Sequence, residues 1–384
     1  MKLKTRFAIM FAVIFVILAG LTYYLGWNIT YWLASMGVDV DSAAFWIPFV
    51  VFAYGYLIGR LPLPSLLKPV FRLLKVLGSF YIFLMEIGLL LALAADAVGI
   101  VVGLAGYSVR DYAEVAGYVV WAIVVASLAV GSRNAWSPIV RTFDLEIDKR
   151  PKEGASRVWT VAVASDIHLG NVVGRRHLRR LVDRVNAMKP DLILLPGDVI
   201  DDSVEPFLRN RMSELLAEMK STYGVYAVLG NHEYYGGHVD QYIEEMDRIG
   251  IRVMRDETAI VADALYVAGR KDKTAESADP NGRMPTAALL AGLDKSKPIL
   301  LLDHQPTQFA EAAAAGADVL LSGHTHRGQF APNHLFTRRL FELDWGYMLK
   351  EAMHVVVSSG FGSWGPPIRL GSRSEIIRLN IRLS

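Results

Sequence analysis

Apolar positions follow two different patterns along this chain. Up to about residue 131 they form long unbroken runs: Phe7 to Leu25, Ala43 to Gly59, a third that begins after Lys75 and continues towards Gly106, and a fourth over about Val115 to Gly131. Between Phe7 and Gly59 the only charged residues are Asp39 and Asp41. A hydrocarbon core about 30 Å thick needs about 20 mostly apolar residues per helix, so these runs predict four transmembrane helices. A signal peptide accounts for the first run and leaves three more. Further on the runs shorten to Val161–Ser165, Leu192–Pro196, Val225–Leu229, Ile299–Asp303 and Val319–Ser322, which read as buried strands. Helical patterns lie between them, such as Leu178, Leu181, Val182, Val185 and Met188. The chain therefore divides into a transmembrane domain over 1–132, a linker over 133–157, and an α/β domain over 158–384. Within the linker, Ile139 to Ile147 alternates like the first strand of the sheet, and Lys149 to Gly154 forms a polar turn.

Charge gives the membrane part a direction. Lys2, Lys4 and Arg6 precede the first run; Arg60, Lys68, Arg72 and Lys75 lie between the second and third; Arg133, Arg141, Lys149, Arg150 and Lys152 follow the fourth. The intervening loops hold Asp39 and Asp41 without a base, and Arg110 with Asp111 and Glu114. Positive-inside bias places both termini in the cytoplasm. With no cysteine, no disulfide is possible, which fits a reducing compartment. Glu86 and Asp96 are costly in a lipid-facing position and no base lies in their run, so they are expected to pair within the bundle, to line a polar cavity, or to lie near the end of a span.

Chemistry enters where the short runs stop. Asp166-Ile167-His168, Gly197-Asp198-Val199-Ile200-Asp201, Gly230-Asn231-His232-Glu233, a lone His304, and Gly323-His324-Thr325-His326 each follow one of them. Any one of these groups arises by chance in a chain of this length; five together, holding five of the nine histidines, do not. In an extended segment residues i and i+2 point to one side, so Asp166 with His168, and His324 with His326, are expected to send paired ligands in one direction. Strand ends are also where α/β sheets gather their sites. Carboxylate, imidazole and amide carbonyl without thiolate suit Mn, Fe or Zn at a reactive centre more than a structural zinc cage. Two such ions about 4 Å apart share a bridging carboxylate and hydroxide and clamp both oxygens of an in-line displacement at phosphorus.

The motif series resembles the calcineurin-like metallophosphoesterase superfamily from about Ile139 to the C-terminus. The resemblance implies a β-sandwich flanked by helices, following the four-helix membrane domain, and a metal-dependent phosphoric ester hydrolase. It implies that Asp166, His168, Asp198 and His326 hold one divalent metal, and Asp198, Asn231, His304 and His324 the other, with Asp198 bridging and Mn as the first choice of ion. His232 is then the acid that protonates the leaving alkoxide, Asn231 helps stabilise developing charge, and Asp201 orients the ligands around it. The turn Ser358-Ser359-Gly360-Phe361-Gly362, the Pro366-Pro367 pair and Glu375-Ile376 resemble the membrane-associated bacterial branch, which includes phosphodiesterases and a UDP-2,3-diacylglucosamine pyrophosphatase. That likeness implies a multi-pass protein of the bacterial inner membrane with its catalytic domain facing the cytoplasm. The branch usually has glycine directly after GHTH; here Arg327 comes first and Gly328 follows, and its guanidinium reads as a grip for a second phosphate or as a side chain that points to solvent or pairs with an acid.

Membrane tethering points to a lipid-linked phosphodiester or pyrophosphate as substrate. A soluble nucleotide or signalling diester is the first alternative, and a membrane sensor that keeps the fold without turnover is the second. Two surface features bear on the bilayer as a partner. Arg175, Arg176, Arg179 and Arg180 form a basic cluster, read as a solvated face or as a site for anionic headgroups. An aromatic-rich insertion, Leu335, Phe336, Leu340, Phe341, Leu343, Trp345, Tyr347 and Met348 with Arg338 and Arg339, reads as sheet-edge core or as a segment that dips into the membrane interface. A net charge of +2 gives no footprint for nucleic acid.

Overall fold

The computed structural model describes residues 3–61, 67–150 and 156–384. Lys2, Lys152 and Gly154, and the side chains of Lys4 and Arg6, lie outside the described residues. Two compact units form, Met1–Val130 and Gly131–Ser384.

The first unit holds α1 (Leu3–Ser35), α2 (Ser42–Ile58), α3 (Lys68–Leu104) and most of α4 (Val109–Trp136). Three stretches among the described residues are long and apolar enough to cross a membrane: Ile9–Ser35, Lys68–Leu104 and Val109–Trp136. Of the four expected spans three therefore reach that length, and the fourth, α2, is apolar but shorter. Asp41 caps α2 by accepting from Ala44 N at 2.8 Å, and the helix closes at Gly59 after 17 residues. At 1.5 Å per residue that is about 25 Å, short of a core about 30 Å thick. Glycines let α2 and α3 approach closely, since a Cβ at Gly78 would fall 2.1 Å from Tyr56 N. Asp96 is met inside the bundle by the Tyr24 hydroxyl, which donates to it.

The second unit is a β-sandwich. Its strands are β1 (Ile139–Ile147), β2 (Val158–Val163), β3 (Leu192–Pro196), β4 (Val225–Val228), β5 (Ile251–Met254), β6 (Glu257–Val261), β7 (Leu265–Gly269), β8 (Ile299–Leu302), β9 (Val319–Ser322), β10 (Gly346–Lys350), β11 (Met353–Val357) and β12 (Glu375–Leu383). One six-stranded sheet runs β1-β12-β2-β3-β4-β5 and the other β10-β11-β9-β8-β7-β6. β1 pairs with β12 in parallel along its whole length, from Ile139 opposite Glu375 to Ile147 opposite Leu383. Between the sheets pack Val161, Leu194 and Val228 from one side and Val267, Leu300, Leu302 and Leu321 from the other. Outside the first sheet, α5 (Arg175–Ala187) lays Leu178, Leu181, Val182 and Val185 against Phe207, Tyr242 and Met246. The second sheet is covered by Phe309 and Ala312. Strands buried on both faces have no solvent side to alternate with, which explains their continuous apolar runs.

The last turn of α4 belongs to this unit. Arg369 N donates to Gly131 O at 3.0 Å, Asn134 Nδ2 donates to Arg369 O at 3.1 Å, and Ser374 N donates to Asn134 O at 3.1 Å. Ser137 and Pro138 alone separate α4 from β1. Three of the four clustered arginines are engaged on the protein: Arg175 with Asn210 O, Arg179 with Glu218, and Arg180 with Trp136 O.

Leu194 is fully buried between the sheets. Leu194→Ala is expected to cost about 2–5 kcal/mol through lost burial and the cavity left behind. The purified full-length chain should show this as a lower thermal midpoint by circular dichroism; an unchanged midpoint would mean that the inter-sheet core does not limit stability.

Candidate metal centre

The expected site residues lie just beyond strand ends: Asp166 and His168 after β2, Asp198 after β3, Asn231 and His232 after β4, His304 after β8, and His324 and His326 after β9. Their backbones are not extended, so the expectation that i and i+2 share a side in a strand is corrected. Asp166, His168, Asp198, His324 and His326 have φ of 52°, 51°, 53°, 72° and 48°. Left-handed backbone at a non-glycine residue costs on the order of 1–3 kcal/mol and persists only where its surroundings over-determine it. Here they do: Asp166 N donates to Gly197 O at 3.1 Å, His168 N to Asp198 O at 3.0 Å, and His324 N to Asp166 Oδ1 at 2.9 Å. The glycines of the motifs serve close approach. A Cβ at Gly230 would fall 2.1 Å from Asp198 Oδ1, and one at Gly323 would fall 2.0 Å from Asp166 Oδ2.

Side chains from all five segments converge. His326 Nε2 lies 3.3 Å from Asp166 Oδ1 and 2.9 Å from His168 Nε2. His304 Nε2 lies 3.1 Å from Asp198 Oδ2 and 3.2 Å from Asn231 Oδ1, and His324 Nδ1 lies 2.8 Å from the same Asn231 oxygen. His304 Nδ1 donates to Pro196 O at 2.8 Å, which orients the ring and turns Nε2 towards Asp198 and Asn231. Metal-ligand groups form as Asp166, His168 and His326; His168, Asp198 and His232; and Asp198, His304 and His324, so Asp198 is common to two of them.

Burial sets the charge of the cluster. It raises the Asp166 carboxyl to about 6 and lowers the His168 imidazole to about 3, pushing both towards neutrality. His326 is driven well below its usual range by the same burial and by neighbouring His168. His304 runs the other way: burial opposes its charge, but the neighbouring Asp198 carboxylate outweighs it and raises the imidazole well above its usual range, so donors of both kinds crowd one carboxylate, a set suited to a shared cation.

Three participants were assigned no role from the sequence. Glu233 is buried and accepts from Gly230 N at 2.7 Å, Ile200 N at 3.0 Å and Asp198 N at 3.1 Å, so it locks the Asp198 turn to the Asn231 turn. Asp202 is the nearer carboxylate to His232, its Oδ1 lying 2.7 Å from Nδ1 where Asp201 Oδ1 lies at 3.7 Å. Burial opposes a charge on His232, but Asp202 together with the charges of Asp198 and Asp201 outweighs it and lifts the imidazole to about 9. Arg369 is fully buried, donates to Ser359 O at 2.6 Å and to Gly362 O, and brings Nη2 to 3.1 Å from His326 Nδ1. Arg327 turns away from this cluster: its guanidinium lies 4.2 Å from the Trp345 ring and donates to Gly371 O at 2.8 Å.

Residues 160–328 match the model of the calcineurin-like phosphoesterase family. An uncharacterized metallophosphoesterase of Aquifex aeolicus is 32% identical over 63% of this chain and 91% of its own length. A transmembrane protein with metallophosphoesterase domain from Danio rerio is 34% identical over 68% of this chain and 61% of its own length. The crystal structure of a dimetal phosphatase from Danio rerio, 14% identical, covers 60% of this chain and all of that one at a TM-score of 0.38. The chain belongs to the calcineurin-like metallophosphoesterases, a family of metal-dependent phosphoester hydrolases. Its relatives include vertebrate proteins, so the likeness is not confined to a bacterial branch. The family implies divalent metal ions, and the convergent set of carboxylate and imidazole donors fits them.

Glu233→Ala leaves three buried backbone N–H groups without an acceptor, a loss of roughly 3 kcal/mol. We expect lower metal content per purified chain, measured by plasma mass spectrometry, together with a lower melting temperature. Full metal loading in this variant would mean that the Asp198 turn holds its shape without Glu233.

Proposed function

We propose that this membrane-anchored phosphoesterase hydrolyses a phosphodiester or pyrophosphate bond of a lipid-linked substrate at the cytoplasmic face, using two divalent metal ions. The observation that carries the reading is the position of Asp198 between the two sets of donors, its Oδ2 3.1 Å from His304 Nε2 and 3.9 Å from His168 Nε2. Asp166, His168, Asp198 and His326 would hold one ion, and Asp198, Asn231, His304 and His324 the other. Bound there, the ions supply Lewis-acid polarisation of the phosphoryl group and a more acidic water for attack at phosphorus. Carboxylate, imidazole and amide ligands make Mn the first ion to try, with Fe and Zn next.

The protein's own groups do the rest. Asn231 turns its carbonyl to His304 and His324, which frees its amide N–H groups to donate to a phosphoryl oxygen as charge develops. His232 sets its Nδ1 2.7 Å from Asp202 Oδ1 in an ion pair, so the ring is oriented and Nε2 carries the proton delivered to the leaving alkoxide. Asp201 adds negative charge behind the same ring. The cytoplasmic orientation follows from the last span, because Arg133, Arg141, Lys149 and Arg150 follow it whereas Arg110 before it is offset by Asp111 and Glu114.

The purified chain with Mn, assayed against membrane phospholipids and nucleotide-linked glycolipids, should cleave one lipid class and lose that activity on His232→Ala by about 10²-fold or more. Cleavage of soluble diesters alone would reduce the helices to an anchor, and metal binding without any turnover would make the chain a sensor.

Asp202→Asn removes the partner that holds His232 protonated. The acid form is needed for leaving-group protonation and survives up to its raised pKa, so the alkaline limb of the kcat profile should move to lower pH. A limb that stays in place would remove His232 from the acid role.

A further inference from the structure

The helix His334–Leu340 has no buried residue. Leu335, Phe336 and Leu340 are exposed by 48%, 60% and 77%, beside the exposed Arg338 and Arg339. Seven residues are too few to hold a helix by propensity alone, and each large apolar side chain left in water forgoes the stabilisation of burial. The helix is tied to the loop of the metal centre through Asp344. Thr337 Oγ1 donates to Asp344 Oδ2 at 2.6 Å, and Thr325 Oγ1, between His324 and His326, donates to Asp344 O at 2.6 Å. Phe341, which ends the helix, places its ring 6.2 Å from that of His324. An apolar ridge is thus fixed at one end to a ligand-bearing loop and left bare at the other.

We propose that this helix is an interfacial wedge: Leu335, Phe336 and Leu340 enter the boundary between headgroups and acyl chains of the bilayer, and Arg338 and Arg339 bind anionic headgroups. A lipid whose phosphate lies at the metal centre then has its acyl chains beside Leu340 and Phe341. This deepens, and rests on, the reading of the site as one for lipid phosphoesters. Two features favour a bilayer over another protein as the occupant. The paired guanidinium groups beside three apolar side chains match the layered chemistry of an anionic interface, with charge outside and hydrocarbon within. The chain itself supplies the bilayer, because only Ser137 and Pro138 separate α4 from β1.

The absence of cysteine makes the test clean. Phe336→Cys in the full chain carries an environment-sensitive fluorophore at one position. Ile260→Cys, on β6 at the far edge of the same sheet from β10, is the control. Both are reconstituted in vesicles of phosphatidylglycerol and phosphatidylcholine containing doxyl-labelled lipid. The label at 336 should be quenched about fivefold more than that at 260, and charge reversal of Arg338 and Arg339 should weaken the difference. Equal quenching at the two positions overturns the proposal, as does a blue-shifted label at 336 that is shielded only when several chains share a vesicle, which assigns the ridge to a second copy. Leu335→Asp with Leu340→Asp should lower cleavage of a vesicle-borne diester by about tenfold and leave a soluble nitrophenyl diester untouched; equal loss on both overturns it. Quenching needs no turnover, so a chain that inserts yet cleaves only soluble diesters keeps the wedge and sinks the lipid-substrate reading.

Discussion

The site depends on the placement of one buried carboxylate. Asp198 accepts His168 N at its carbonyl and His232 N at Oδ1, 2.9 Å away, and Oδ2 faces His304 at 3.1 Å. Its own N–H is held by Glu233. A single residue therefore touches the turns after β2, β4 and β8, and a shift of its backbone would move ligands on three other strands. The left-handed φ at Asp198 and the close approach of Gly230 follow from this crowding: no extended residue could reach all of these partners, and no larger neighbour could sit against it.

How far the sequence could be read depended on which kind of signal each feature carries. The strands that end at the site are buried on both faces, so their runs stand out, and the sandwich with its helices follows from them. The membrane helices stand out for the same reason, except α2, whose hydropathy is high but whose length is set by a cap at Asp41 and a stop at Gly59 that no hydropathy sum contains. Motif residues were legible because metal-ligand chemistry restricts their type. Their conformations were not, because a spacing of two residues fits a strand and a pair of left-handed turns equally well. Glu233 and Asp202 adjoin motif residues and look like ordinary solvated acids until the fold buries them; the capping-box position of Glu233 after Gly230 was the one available sign. Arg369 offers none, since a lone arginine in a loop has no periodicity to distinguish it.

Burial of so many titratable groups would be unfavourable in a fold without a cation to share. Asp166 is pushed up and His168 and His326 down because each is forced towards its neutral form, while Asp198 and Glu233 stand close together inside the same apolar frame. The sandwich supplies that frame through strands that tolerate no water on either face. The hydrogen bonds from backbone N–H groups to Asp166, Asp198 and Glu233 hold the geometry in which cations become the natural partners.

The edge of the catalytic unit falls inside α4, and the hydrogen bonds there give it a purpose. Gly131 O and Asn134 hold the backbone of Arg369, and the Arg369 side chain braces the carbonyls of Ser359 and Gly362. That glycine-rich turn in turn bonds the loop of Asp166, through Phe361 N to Ser165 O at 2.9 Å and Gly362 N to Asp166 O at 2.8 Å. A short chain of contacts therefore runs from the last turn of α4 to the carboxylate that faces His326. Trp136 extends it on the other side, packing edge-on against His177 with ring centroids 4.9 Å apart, while His177 stacks on Phe361 at 4.3 Å. The end of α4 is consequently part of the scaffold that shapes the metal centre, and its hydrogen bonds make the helix a structural member of the catalytic unit as well as a tether.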